Sequence, residues 1–114
     1  MIKYRHKDLF KSKELQYGLL VETNVDLLEG RANRIVKDST VSFKRNQVIL
    51  RIPVKKWWKP WVEITVQNKI KQRINNPEFK EWLKTHYASY RFGDLIAHRD
   101  YYELIGEAYF IRLK

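Results

Sequence analysis

Cysteine is absent from this chain of 114 residues, and glycine, proline and methionine are scarce, with four, three and one residues. Without cysteine the protein can form no disulfide and no thiolate metal site, so we expect an intracellular, cytoplasmic protein. The glycines lie too far apart to form a glycine-rich phosphate loop, which excludes the common nucleotide-binding motifs. Little methionine beside many Lys, Arg, Ile and Val residues is typical of thermophilic proteins.

Long apolar segments are also absent. No run approaches the roughly 18 apolar residues that a membrane-spanning helix needs, and the first residues, MIKYRHKDLF, lack the apolar centre of a signal peptide. We therefore expect no membrane partner. Hydrophobic residues make up 44% of the chain, which is enough for a core and argues against disorder. We expect one domain over residues 1–114, with residues 1–11 as a flexible basic arm.

Acidic residues are outnumbered, because 13 Asp and Glu stand against 23 Lys and Arg, which gives a net charge of +10. A surplus of this size predicts a polyanionic partner, most often nucleic acid. A basic surface that only keeps the protein soluble is the alternative, and composition does not separate the two.

The N-terminal hydrophobic pattern predicts one long helix from Ser12 to Glu29, because apolar residues recur at spacings of three and four. Gly30 follows at the position that a C-cap glycine takes. The acidic residues Glu22, Asp26 and Glu29 are interpreted as the solvated outer face of this helix. The predicted apolar face consists of Tyr17, Leu20, Val21, Val25, Leu27 and Leu28.

The central pattern changes to a period of two, which predicts strands. Val41 and Phe43 alternate with polar residues, Arg45-Asn46 forms a tight turn, and a second strand runs to Pro53. This strand should lie at a sheet edge or stop at Pro53, since proline donates no ladder hydrogen bond. Its buried face is predicted to be Val48, Leu50, Ile52 and Val54, and a further strand is predicted at Val62, Ile64 and Val66.

The last part of the chain predicts helices followed by strands. A short helical piece begins at Asn68, and a second helix begins at Asn76-Pro77, where proline suits the first helical position. Strands are predicted from Gly93 to the end of the sequence, with a bulge at Gly106. The amphipathic face of the second helix is predicted to be Phe79, Trp82, Leu83 and His86.

Together these elements predict an α+β fold with an N-terminal helix and one or two helices before the last strands. The sheet is expected to be small and mostly antiparallel, or a partly closed β-barrel of about five or six strands. A symmetric homodimer through the hairpin edge near Pro53 is a further expectation.

Catalytic and metal-binding motifs are incomplete in this sequence. His98-Arg99-Asp100 resembles the catalytic loop of protein kinases, but Ile105 stands where that motif has asparagine. The histidines are not spaced to share a metal ion. We therefore predict no enzymatic activity, no metal and no cofactor. A metal-dependent nuclease remains an alternative, with the candidate carboxylates Asp94, Asp100, Glu103 and Glu107.

Positive charge is concentrated between Lys44 and Lys59, a segment without any acidic residue, and three tryptophans lie at its end. Cations among exposed rings are typical of proteins that neutralise phosphates and stack on unpaired bases. We therefore predict non-enzymatic nucleic-acid binding, with RNA or an RNA–DNA hybrid preferred. The predicted binding residues are Lys44, Arg45, Arg51, Lys55, Lys56, Trp57, Lys59, Trp61, Lys69, Lys71 and Arg73.

The alternation of the preceding strand, continued through this segment, places Trp57 and Trp61 outward and Trp58 in the core. Val54, Val62 and Ile64 are predicted to join Trp58 there. Two other interpretations stay open. The cations can protect an edge hairpin from aggregation. Alternatively, the chain is a viral interaction module that blocks or recruits a host complex, with the tryptophans as anchors for a host or viral protein.

Several stretches carry a resemblance to a known family. They are FKEWLKTHY, YRFGDL and YYEL within residues 79–114, and TVSFKRNQVILRIPV and PWVEITV upstream. This part of the chain resembles the accessory β-barrel of transposon-encoded RNA-guided nucleases, the counterpart of the wedge domain in type V CRISPR effectors. The resemblance implies a free-standing barrel, without the nuclease domain, that grips guide RNA or an RNA–DNA duplex by shape and backbone. Small basic proteins of this kind are also common in archaeal viruses, so we expect a small archaeal-virus protein.

Overall fold

The computed structural model describes residues 6–109, which form helices around an open antiparallel sheet. The helices are α1 (His6–Leu19), α2 (Leu27–Val36), α3 (Ile64–Asn75) and α4 (Pro77–His86). The strands are β1 (Thr40–Lys44), β2 (Gln47–Pro53), β3 (Tyr90–Phe92), β4 (Ile96–Ala97) and β5 (Tyr101–Ala108). Their order is β1-β2-β5-β3, with β4 also paired to β5. The α+β prediction is confirmed, and the sheet is open and does not close into a barrel.

The core lies between one face of the sheet and the helices. Val48, Leu50 and Ile52 of β2 are fully buried, as their alternation predicts. The same cluster includes Leu15 and Leu19 of α1. The third and fourth helices contribute Val66, Ile70, Ile74, Phe79 and Leu83. Each helix therefore presents a stripe at spacings of three or four to a single apolar layer.

The predicted single helix from Ser12 to Glu29 is wrong. The structure has two helices there, separated by residues 20–26, in which Asn24 takes a positive φ of 55°. Asp26 caps the second helix, because its side chain accepts a hydrogen bond from the Glu29 backbone N–H at 2.8 Å. Gly30 consequently lies in the first turn of α2 and is no C-cap.

The buried face of α1 also differs from the prediction. Ser12, Leu15 and Leu19 are buried, whereas Tyr17 is exposed. Helix α1 begins at His6, so residues 6–11 are not an arm, and residues 1–5 lie outside the described part of the chain. The strand predicted to run to the end of the sequence ends at Ala108, and residues 110–114 likewise lie outside the description.

The side chain of Arg73 joins three helices. It is only 9% exposed, and it donates hydrogen bonds to the carbonyl of Leu19, to Asn33 Oδ1 and to the carbonyl and carboxylate of Glu29. Lys69 also contacts the Glu29 carboxylate, at 3.3 Å. We call this group of Arg73, Glu29, Asn33, Lys69 and the Leu19 carbonyl the Arg73 hub. The sequence predicted that Glu29 lies on a solvated face. In the structure Glu29 instead holds α2 against α3.

Asn33 extends the hub to the connection between α1 and α2. Its side chain accepts a hydrogen bond from the Val21 N–H at 3.0 Å and donates one to the Val21 carbonyl at 2.8 Å. Both backbone groups of Val21 are thus satisfied by one amide, which fixes the path of the chain after α1.

The outer edge of β1 is covered by α1. The Ser12 hydroxyl accepts a hydrogen bond from the Val41 N–H at 2.7 Å and lies 3.3 Å from the Val41 carbonyl, to which it can donate. Gln16 binds the Ser39 carbonyl at 2.9 Å. Strand β2 lies between β1 and β5 and ends at Pro53, so the edge that the homodimer prediction used is not an edge of the sheet.

The C-terminal half confirms α4 and corrects two other predictions. Asn76 caps α4 and Pro77 is its first residue, as predicted. The strand predicted through Val62, Ile64 and Val66 is instead the start of α3. Gly106 forms no bulge, since β5 pairs with β2 in regular register. No helix in residues 6–109 is long and apolar enough to cross a bilayer.

Gly106 lies where β5 passes between two side chains of its neighbouring strands. A Cβ atom at this position would lie 2.9 Å from the Phe92 ring of β3 and 2.9 Å from Val48 Cγ1 of β2. Both distances are shorter than a van der Waals contact, so only glycine allows Phe92 to pack over β5 at this point.

Arg73→Met should remove the hub while keeping the helix propensity and the aliphatic stem. Because it leaves the Leu19 carbonyl without its donor and Glu29 with Lys69 alone, we expect the free energy of unfolding to fall by about 3 kcal/mol. Urea unfolding measures this change. Lys71→Met on the same helix is the control, since Lys71 is exposed and pairs with no acid in residues 6–109. Equal losses in the two variants would contradict the role of the hub.

The hub also predicts acid sensitivity. The Arg73 hydrogen bond, with help from Lys69 and against the opposing effect of burial, holds the pKa of Glu29 below its ordinary value of 4.5. The stability it contributes is therefore present above pH 4.5 and is lost as the pH falls through the lower folded-state pKa. We expect the stability difference between wild type and Glu29→Gln to shrink on acidification, measured by urea unfolding over a pH series. A difference that stays constant would count against this assignment.

Gly106→Ala should destabilise the protein by about 1–3 kcal/mol, because the new methyl group must displace Phe92 or Val48. Gly93→Ala is the matched control, since a Cβ atom there meets nothing within 4 Å and φ is not positive. Thermal unfolding of both variants measures the difference. A loss in Gly93→Ala as large as that in Gly106→Ala would show that the effect is not the close approach.

Candidate nucleic-acid interface

Three tryptophan rings lie on a loop between β2 and α3, and all three are exposed. Trp57 is 84% exposed, Trp58 58% and Trp61 60%. We call residues 54–63 the tryptophan loop. Trp57 and Trp58 meet edge to face with centroids 5.8 Å apart, and Lys56 Nζ lies 5.4 Å from the Trp58 ring centroid. Rings of this size are usually at least partly covered. Exposure of three of them makes the tryptophan loop a candidate binding surface.

The lysines of this loop hold its backbone in place. Lys55 Nζ donates to the Lys59 carbonyl at 2.8 Å, and the Lys59 N–H donates to the Lys56 carbonyl at 3.0 Å. At the start of the loop, the Val54 N–H donates to the Asp100 carbonyl at 3.0 Å. The loop is thus closed by its own main chain and side chains, and the rings project from a fixed base.

The end of the loop is anchored at Glu63, which precedes α3. Lys59 Nζ and Arg31 each contact the Glu63 carboxylate at 2.9 Å. The hydrogen bond from Lys59, opposed by burial and assisted by Arg31, lowers the pKa of Glu63, which favours its charged form at neutral pH. This carboxylate therefore connects the loop to α2 as well as to α3.

The predicted alternation through the loop is correct for two tryptophans and wrong for the third. Trp57 and Trp61 face outward as predicted, but Trp58 is also exposed, and so is Ile64. Val54 is buried and Val62 is half-buried against the core. The alternation fails because the strand ends at Pro53, after which turns replace the pleat.

The predicted basic track is divided by the sheet. Lys44 and Arg45 are exposed at the β1–β2 turn, whereas Lys55, Lys56 and Lys59 lie beyond the other end of β2. Because a strand rises about 3.3 Å per residue, the two groups lie roughly 20 Å apart. Contiguity in the sequence therefore does not make one continuous positive surface.

The remaining predicted cations serve mostly within the protein. Arg51 pairs with Glu103 on the sheet face opposite the core, and Lys69 and Arg73 belong to the Arg73 hub. Lys71 is exposed on α3 and pairs with no acid in the described residues. The structure does not bring these side chains to the tryptophan loop.

Two cations beside the loop were missed by sequence reasoning. Lys37 adjoins Asp38 in the chain, and the Asp38 carboxylate contacts Lys56 at 3.2 Å. Arg99 likewise adjoins Asp100, whose carboxylate lies 4.0 Å from Lys55. Lys37 and Arg99 are both exposed and form no ion pair within residues 6–109. Each is far from the tryptophans in the chain, so no local pattern could have assigned it to them.

A second polar group lies on the sheet face opposite the core. Glu103 is buried and its carboxylate contacts His98 Nε2 at 2.9 Å and Arg51 Nε at 3.1 Å. The hydrogen bond to His98, opposed by burial and assisted by Arg51, lowers the pKa of Glu103. His98 also stacks on Tyr101, with ring centroids 4.3 Å apart. The Glu103 carboxylate is thus neutralised by Arg51 and His98 on this face of the sheet.

The carboxylates of the nuclease alternative do not converge. Glu103 is held by His98 and Arg51, Asp100 lies near Lys55, and Glu107 is bonded to Gln47. Across residues 6–109, no three His, Asp or Glu side chains are grouped as metal ligands would be. The geometry therefore gives that alternative no support.

The carboxylate partners of the loop lysines are exposed, whereas the lysines themselves are mostly covered. Asp38 and Asp100 are 50% and 52% exposed, and Lys56 and Lys55 are 21% and 16% exposed. Lys55 Nζ also donates to the Lys59 carbonyl, so this lysine remains part of the support of the loop. The loop thus combines exposed rings with the Lys56–Asp38 pair, in which the carboxylate is open to solvent.

Comparisons of this chain with protein-family models, with curated proteins and with solved structures return no match. The function must therefore be inferred from the geometry of the site.

Proposed function

We propose that this protein binds single-stranded nucleic acid without modifying it, and that RNA is the preferred strand. The observation that supports the proposal most is the exposure of Trp57, Trp58 and Trp61 on a loop held by its own lysines. Unpaired bases have free faces for stacking, whereas the bases of a duplex are already stacked on each other. The exposed rings therefore favour an unpaired strand over the hybrid duplex that the family resemblance implies.

Stacking on these rings supplies most of the base-dependent affinity. Each base that stacks on an aromatic side chain contributes roughly 1–3 kcal/mol, with little dependence on its identity. Since Trp57 and Trp58 meet edge to face, they present ring faces in different directions. A strand that uses both must therefore turn at this point, which a flexible single strand allows.

The phosphates are neutralised by cations around the loop. Lys37 and Arg99 are exposed, form no ion pair within residues 6–109, and adjoin Asp38 and Asp100, the partners of Lys56 and Lys55. Lys56 joins them when phosphate replaces Asp38, while Lys55 remains bonded to the Lys59 carbonyl. Binding of this kind releases counterions and falls steeply with salt.

Fluorescence anisotropy with labelled oligouridylate tests the proposal. We expect Trp57→Ala/Trp61→Ala to weaken binding by at least about fivefold per ring, because each ring loses one stacked base. Lys37→Glu/Arg99→Glu should weaken binding and lower the salt dependence by about one phosphate contact per residue. Lys80→Glu/Lys84→Glu on α4 has the same change in net charge and should bind normally.

Two results would overturn this function. One is a dissociation constant weaker than about 0.1 mM for every nucleic acid at low salt, since even non-specific binders usually do better. The other is tighter binding of an RNA–DNA duplex that the tryptophan substitutions leave unchanged, which would indicate backbone recognition by cations alone.

A further inference from the structure

A cleft of about 680 Å³ lies between α4 and β3, and no residue of the tryptophan loop lines it. Its size is within the range of ligand and peptide sites. Apolar side chains line it from the core side, among them Ile74, Leu83, Leu95 and Leu104. Four exposed charged residues also line it, the cations Lys80, Lys84 and Arg91 and the single acid Asp94, so its charge is net positive.

Strand β3 borders this cleft and is an edge strand. Tyr109 N–H donates to the Ser89 carbonyl and Gly93 N–H donates to the Ile105 carbonyl, both at 3.1 Å, so residues 89, 91 and 93 face β5. Backbone groups alternate sides along a strand. Phe92 therefore directs its N–H and C=O away from β5, and no other group in residues 6–109 binds them.

The opposite edge of the sheet is not available in the same way. The Ser12 hydroxyl occupies the outward N–H of Val41 and contacts its carbonyl, and Gln16 occupies the carbonyl of Ser39. Tyr90 N–H at the start of β3 is bonded to the Tyr87 carbonyl, but its own carbonyl points the same way as the groups of Phe92. The β3 edge thus presents the acceptor, donor and acceptor that a further strand requires.

The two sides of an added strand would meet different surroundings. Residues opposite each other in a ladder point to the same face. Every second side chain of a strand on β3 would therefore lie on the face of Tyr90 and Phe92, toward the apolar lining of the cleft. The intervening side chains would lie on the face of Arg91. Lys80 and Lys84 flank the cleft from α4.

We propose that β3 binds an extended peptide of a partner protein, in which apolar residues alternate with acidic ones. The peptide adds a strand to the sheet through the main-chain groups of Tyr90 and Phe92. Its apolar side chains enter the cleft, its acidic side chains lie on the opposite face beside Arg91, and Lys80 and Lys84 add positive charge from the α4 side of the cleft. This site is separate from the tryptophan loop and does not depend on nucleic-acid binding.

A short peptide of alternating glutamate and leucine, labelled with fluorescein, is the probe. We expect it to bind wild-type protein, and to shift the backbone amide signals of Arg91, Phe92 and Gly93 in NMR spectra of isotope-labelled protein. The same peptide with N-methyl groups on its backbone amides should not bind, because the ladder hydrogen bonds are lost. A lysine–leucine peptide of the same length should bind at least about tenfold more weakly, owing to like charge.

Lys80→Glu/Lys84→Glu should weaken binding of the acidic peptide at least about tenfold and leave oligouridylate binding unchanged. Lys37→Glu/Arg99→Glu is the matched control and should do the reverse. The proposal is overturned if the acidic peptide does not bind, if N-methylation has no effect, or if the α4 variant binds as wild type does. It is also overturned if oligouridylate, and not the peptide, shifts the β3 amides. Because each pair of variants tests one site, either proposal can fail alone.

Discussion

The buried guanidinium of Arg73 is the interaction on which the helical half of this protein depends. A cation removed from water is tolerated only where acceptors surround it. Helix α1 supplies one, the Leu19 carbonyl, and α2 supplies three, Asn33 Oδ1 and the carbonyl and carboxylate of Glu29. The position of α2 in turn directs Arg31 to Glu63, where the tryptophan loop ends. The exposed rings are therefore held by a chain of charge contacts that begins in the interior, and the base of the loop is as fixed as the helices beneath it.

The sequence was sufficient wherever local chemistry determines structure. The hairpin at Arg45-Asn46, the buried alternation of β2 and the Asn76-Pro77 start of α4 all follow from a few adjacent residues. It was misleading where two helices lie in close succession, because apolar residues in the connection continued the period. Asp26 followed three residues later by Glu29 is a helix-start signal that could have divided them. The path between them, however, is set by Asn33 and Arg73, which no local pattern connects.

The candidate interface shows the same limit. Exposed Trp57 and Trp61 were predicted from alternation, but Trp58 was misplaced because the pleat ends at Pro53. The basic residues of the segment were recognised, yet the structure uses Lys55 and Lys59 to close the loop and Arg51 to neutralise Glu103. Lys37 and Arg99 are connected to the loop lysines only by the tertiary fold, through their chain neighbours Asp38 and Asp100. The sequence therefore gives the number of cations. The ion pairs in the structure determine which of these cations can bind a ligand.

The central position of β5 has a consequence for how the chain folds. This strand pairs with β2, β3 and β4, yet it is the last described element in the chain, and its partner β2 lies about fifty residues earlier. During synthesis one edge of β2 stays unpaired until β5 has been made. The outer edge of β1, in contrast, can already be covered by α1. Contacts of such long sequence separation slow folding, because loop closure precedes the gain from pairing. The nascent hairpin is thus protected on one side only, and the moment of greatest aggregation risk falls just before β5 leaves the ribosome.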